Sequence, residues 1–138
     1  GMNVGNKRPD VLLFPEEGKC IILEFKDPKV EVEKHLDQIT QYATIIHSLS
    51  SEKFPFHLFY GYLIGENADI YSIIDRDGDF RYSKSLGYVF RPNKRLADPL
   101  NRGEASLYTE VIRYSDLLKR AQLRNKIYTD KILNKTTE

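Results

Sequence analysis

Two apolar runs separated by a short polar break constrain this chain most. Val11-Leu12-Leu13-Phe14 and Cys20-Ile21-Ile22-Leu23 flank Pro15-Glu16-Glu17-Gly18-Lys19, so residues 9–14 and 19–26 read as the arms of one β-hairpin. With Glu16-Glu17-Gly18 as a three-residue loop and Gly18 in its left-handed position, Pro15 pairs with Lys19, Phe14 with Cys20, Leu12 with Ile22, and Asp10 with Glu24. Residues directly opposite have Cβ atoms about 4.5–5.5 Å apart, where like charges repel. Lys26 lies two residues beyond Glu24 and therefore on the same face. Arms this apolar suggest a central strand pair covered on both faces, where a charge is costly without a partner or a metal. A divalent cation between Asp10 and Glu24 would convert their repulsion into coordination. The alternative is a charged hairpin end, neutralised by Lys26 and screened by solvent. A four-residue loop would undo the pairing, because a shift of one residue sends the two carboxylates to opposite faces.

Residues 31–49 carry a helical pattern, with Leu36, Ile39, Ala43 and Ile46 along one stripe and Gln38, Tyr42 and His35 sharing another face. Strands follow at 56–64, 69–74 and 80–82, the last returning across a turn at Asp77-Gly78, with a further short strand at 86–90. Asp75, Asp77 and Asp79 mimic the opening of a calcium loop. Phe80 at its sixth position and Leu86 at its twelfth, where Gly and Glu are required, favour a plain turn. Residues 91–105 form the longest irregular stretch, and 108–114 read as an edge strand or the start of a helix. Ser115-Asp116 reads as the N-cap of a helix running to about Asn134, with Leu118, Ala121, Tyr128 and Ile132 on its buried stripe and Asn125 breaking it. Such a helix closes a sheet face or makes a homodimer.

A length of 138 residues with 41% hydrophobic and 30% charged residues suits a single domain spanning 1–138. No apolar run approaches the roughly 20 residues that span a bilayer, and no signal peptide opens the sequence, which points to the cytoplasm and away from membranes. Cys20 is alone and reads as a packed small residue, and His35, His47 and His57 show no zinc spacing with it. The net charge of +1 argues against coating nucleic acid by bulk electrostatics, but its distribution is uneven. Residues 1–90 hold ten Lys or Arg against fourteen Asp or Glu, and residues 91–138 hold eleven against six. Arg91, Lys94, Arg95 and Arg102 in the irregular stretch, and Arg113, Lys119, Arg120, Arg124 and Lys126 in or near the last helix, either meet phosphates or form a solvated face.

Pro9-Asp10, then thirteen residues, then Glu24-Phe25-Lys26 resembles the signature of the PD-(D/E)XK nuclease superfamily, the restriction-endonuclease-like fold. Gln38-Ile39-Thr40-Gln41-Tyr42 on the following helix resembles the Gln-x-x-x-Tyr element of RecB-type members, which lies beside their active site. The resemblance covers roughly residues 8–64. It implies an α/β fold with a mixed central sheet flanked by helices, extended here by the long C-terminal helix. It implies a metal-dependent nuclease hydrolysing phosphodiester bonds in DNA, or in RNA, with Mg²⁺ (Mn²⁺ as substitute) held by Asp10, Glu24 and the Phe25 backbone carbonyl. Lys26 would orient or deprotonate the attacking water, and Gln38 and Tyr42 would orient the site or touch the nucleic-acid backbone. His35 reads as structural. Members usually begin with a helix supplying a further Glu, whereas only residues 1–7 precede the first motif, and Gly1 before Met2 looks like a tag remnant. The chain therefore reads as part of a larger protein, or as a variant built without that helix. The competing expectation is a catalytically inactive binding or interaction module of the same fold, and a weaker one is a structural ion cluster with no nucleic-acid role.

Overall fold

The apolar runs do form strands, but the sheet they enter is covered unevenly. The computed structural model describes residues 8–98 and 103–136, the last two of these by backbone alone. In chain order it contains β1 (Asp10–Phe14), β2 (Lys19–Phe25), α1 (Leu36–Leu49), β3 (Leu58–Gly65), α2 (Ile70–Arg76), β4 (Arg81–Ser83), β5 (Tyr88–Arg95), β6 (Ser106–Arg113) and α3 (Tyr114–Thr136). The six strands make one mixed sheet in the order β1-β2-β3-β6-β5-β4. The pairs β2–β3 and β3–β6 are parallel and the other three antiparallel. This is an α/β protein with a mixed sheet and a long C-terminal helix. None of the described helices is long and apolar enough to cross a membrane.

One face of the sheet carries the core. Cys20 and Ile22 of β2, Phe59 and Leu63 of β3, Leu107 and Val111 of β6 and Val89 of β5 meet Leu36, Ile39 and Ala43 of α1 and Ile73 of α2. A fully buried Ile, Leu or Phe of this kind contributes about 1.5–3 kcal/mol of transfer free energy. Gly61 lets α1 approach: a Cβ there would lie 2.3 Å from Ile39 Cγ2.

The hairpin pairs one residue away from the expected register. Asp10 lies opposite Leu23, Val11 opposite Ile22, Leu12 opposite Ile21, Leu13 opposite Cys20 and Phe14 opposite Lys19. Pro15 does not extend the ladder. Its fixed φ starts a single 3-10 turn over Pro15–Glu17, ended by Gly18 at φ 63°, so the loop has four residues. Gly18 also accepts the His57 and Leu58 amides on its carbonyl, at 3.0 and 3.1 Å, which fixes the loop against the start of β3. Because paired residues share a face, Asp10 goes with Leu23 and Glu24 points the other way. Nor is the hairpin a doubly covered centre: β1 is an edge strand, with Val11 to Phe14 between 37% and 51% exposed.

Three further expectations change. Residues 69–74 form α2 and not a strand, because the Asp69 carboxylate accepts the Tyr71 and Ser72 amides and caps a helix whose Ile73 enters the core. Residues 80–82 do not return along 69–74, since β4 pairs with β5. Residues 108–114 fall almost wholly in β6, which is central, between β3 and β5. Burial pushes the Cys20 thiol up to about 11, so it remains a protonated packing group. A thiol reagent such as DTNB is expected to leave the native protein unlabelled and to react stoichiometrically in denaturant; rapid native labelling would contradict this burial.

Candidate functional site

Glu24 and Lys26 lie at the C-terminal end of β2, where the strand passes beneath the first turn of α1. Lys26 is held through its backbone by two unrelated elements: its amide donates to Ile64 O at 2.8 Å, and its carbonyl accepts the Tyr114 hydroxyl at 2.9 Å. Its ammonium is thereby aimed inward. It sits 3.1 Å from Glu24 Oε1 and donates to Gln38 Oε1 at 2.7 Å. Glu24 is only 2% exposed and Lys26 15%, so this ion pair is largely removed from solvent.

Half of the Glu24 carboxylate is satisfied and half is not. Oε1 has Lys26, whereas Oε2 is buried without a hydrogen-bond partner. Leaving such an acceptor unpaired costs about 1–3 kcal/mol, and more when the group is charged. On the other side, Lys26 has three donors and uses two among the described residues. The cluster therefore holds one spare acceptor and one spare donor.

The helix residues expected at this site are present. Burial raises the Tyr42 phenol above its ordinary value, and the nearby Glu24 charge raises it further. Burial lowers His35 and the Lys26 charge lowers it more, with Glu24 opposing. Glu24, Lys26 and Gln38 thus form one bonded cluster, with Tyr42 and His35 within its field. Asp10 is not brought to it. The carboxylate is exposed on the opposite face of the sheet. Among the described residues no group of three or more His, Cys, Asp or Glu side chains is placed to hold a metal. Tyr114, 88 residues away from the carbonyl it holds, had no local signal that could have revealed it.

The basic residues divide. Arg91 is not in a loop facing solvent but is 3% exposed on β5. Its Nη1 donates to Asp77 Oδ2 at 2.6 Å, its Nη2 to Thr40 and Thr109, and its guanidinium lies over Phe80. Arg91 is therefore a core strut, and Asp77 its counter-ion instead of a calcium ligand. Arg95 on β5 pairs with Glu104, and Arg113 with Asp116. Arg120 stacks on Tyr88. Arg102 and residues 1–7 lie outside the described residues. Lys94, Lys119, Arg124 and Lys126 are exposed. Comparison of the chain with protein-family models, with curated proteins and with solved structures found no match.

Proposed function

We propose that this chain is a metal-dependent phosphodiesterase domain of the PD-(D/E)XK kind, acting on nucleic acid, with DNA the expected substrate. The observation that carries the proposal is the half-satisfied pocket: a buried carboxylate oxygen without a partner, beside a lysine with a donor to spare. A cation satisfies the first and an anionic phosphate oxygen, or the water that attacks it, satisfies the second. Mg²⁺ suits this donor set, since it commonly keeps several waters and is bound through one or two carboxylates plus substrate phosphates. Glu24 would hold it through Oε2, with the Phe25 carbonyl as the resemblance implies. When bound, the metal supplies Lewis-acid stabilisation of the attacked phosphate and a lowered pKa for a coordinated water.

The chain's own residues do the rest. Glu24 fixes Lys26 by ion pairing, Gln38 fixes it from the helix side, and the remaining N–H of Lys26 is directed at the reacting oxygens. Gln38 acts as a positioning residue through Lys26, and Tyr42 narrows the pocket. Asp10 joins the same metal only if β1 slips by one residue, into the register with a three-residue loop. A slip is physically accessible because Val-Leu-Leu-Phe is apolar at every position and so specifies no face. In the observed register Glu24 is, among the described residues, the sole carboxylate of the bonded cluster, and that observation also favours a second reading, an inactive module of the same fold.

Calorimetric titration with Mn²⁺ or Mg²⁺, paired with cleavage of single- and double-stranded DNA, tests the proposal. The wild type is expected to bind one ion per chain, Glu24→Ala to bind none, and Asp10→Ala to retain binding within about tenfold. Loss in both variants would place both carboxylates on the metal and require the slip. A folded wild type that neither binds metal nor cleaves would overturn the nuclease reading in favour of the inactive module.

A further inference from the structure

Central parallel strands are ordinarily buried on both faces, because the layers that connect them cover both. Here β2, β3 and β6 are parallel and central, yet among the described residues only one face has a helical layer. The other carries Leu23, Phe25, Tyr60, Tyr62, Phe90 and Tyr108, all half-buried or exposed, with Phe25 at 42%; it is closed at the end where α3 begins, where Ile64 and Ile112 are buried and Arg120 lies over Tyr88. Their rings are close enough to touch in a row: Tyr60 to Tyr108 at 6.2 Å and Tyr108 to Phe90 at 6.4 Å between centroids.

The same chain holds a helix with the opposite problem. α3 is anchored at its first turns, through Tyr114, Asp116 and Arg120, but every side chain from residue 121 to 128 is exposed. Leu118, Leu123, Ile127 and Tyr128 are 59%, 60%, 48% and 67% exposed. The stripe expected to be buried, Leu118, Ala121, Tyr128 and Ile132, is exposed throughout. Twenty-three residues of helix extend about 35 Å, enough to cross a six-stranded sheet about 24 Å wide.

We propose that α3 of a second copy covers this open face, reciprocally, so that the chain is a twofold homodimer. Charge supports this occupant. α3 presents Lys119, Arg124, Lys126 and Lys131 against Asp130, and these cations would repel one another across a helix-to-helix pairing, whereas the open face carries Asp10 and Glu110 beside Lys19 and Arg81 and the adjoining hairpin loop adds Glu16 and Glu17, so that face and loop together are net acidic.

Sedimentation equilibrium over a hundredfold range of concentration is expected to give twice 16.1 kDa for the full chain. Ile127→Asp/Tyr128→Asp, whose side chains are already exposed within one copy, is expected to give a folded monomer by circular dichroism. A wild type that stays at 16.1 kDa throughout, or a double variant that still dimerises, would overturn the proposal. Cysteine pairing identifies the surface. Tyr128→Cys mixed under mild oxidation with Leu23→Cys, Tyr60→Cys or Tyr62→Cys is expected to yield a linked dimer with at least one of the three, with Cys20 silent because it is buried. Linkage of Tyr128→Cys only to itself would mean that α3 pairs with α3, and would equally sink the proposed arrangement.

Discussion

Lys26→Met is expected to cost the fold about 3–5 kcal/mol, a large part of the 5–15 kcal/mol that holds a domain together. The reason is the neighbour it abandons. Glu24 is 2% exposed, and among the described residues Lys26 is the only partner of either carboxylate oxygen. Without the ammonium a buried charge is left unpaired, and the Gln38 Oε1 that accepted from it loses its donor as well. Removing the other member is milder: in Glu24→Gln the lysine, at 15% exposure, can still hydrate its head group. Replacing both, in Glu24→Leu/Lys26→Met, is expected to return stability close to wild type or above it, since apolar side chains of similar volume need no partner. Urea denaturation of the wild type, Lys26→Met, Glu24→Leu and Glu24→Leu/Lys26→Met measures this as a double-mutant cycle, with an expected coupling of several kcal/mol. A Lys26→Met protein within about 1 kcal/mol of wild type would mean that the pair is not buried as ions. The stable double variant also separates fold from function, because it should be folded and unable to bind metal.

The part of the site on β2 and α1 was legible because it depends on local periodicity. Glu24 and Lys26 are two apart on a strand, and Gln38 and Tyr42 four apart on a helix, so each pair shares a face whatever the rest of the chain does. Asp10 was not legible, because its face depends on the parity of a loop. Pro15 can extend a strand or begin a turn, and Val-Leu-Leu-Phe has no polar alternation to choose between registers. α2 was misread for a related reason. Ile70, Ile73 and Ile74 suit either structure by composition, and the Asp69 cap decided it. The central position of β6, the Tyr114 contact with Lys26 and the burial of Arg91 all follow from pairings across the sheet that leave no mark on neighbouring residues. The exposed stripe of α3 is different again. Its amphipathic pattern reads as a buried stripe, and the structure leaves that stripe exposed, because periodicity says which side chains share a face and not what covers them.

Gly61→Val is expected to destabilise the protein by about 3 kcal/mol, the upper end for overpacking a well-filled core. Valine is the better strand former in isolation, so propensity alone would predict a gain. Geometry outweighs it. Gly61 is paired on both sides, with Ile22 of β2 and Thr109 of β6, so its backbone cannot retreat. A Cβ would meet Ile39 Cγ2 at 2.3 Å, and Ile39, on the inner face of α1, is fully buried with nowhere to turn. The helix itself must then lift, and the next residue toward its N-terminus is Gln38. Its 2.7 Å hydrogen bond from Lys26 ties α1 to the candidate site, and a displacement of an ångström would break it. Gly61→Val should therefore weaken the proposed metal binding as well as stability, although the residue is not part of the Glu24–Lys26–Gln38 cluster. Adding Ile39→Ala returns the volume and should recover most of both losses, as a favourable coupling of about 1–3 kcal/mol and as restored calorimetric binding. Recovery of stability without binding would show that Gln38 is not what carries the effect to Lys26. Recovery of both would establish that the close approach of α1 to β3 sets the geometry in which Glu24 and Lys26 meet their ligand.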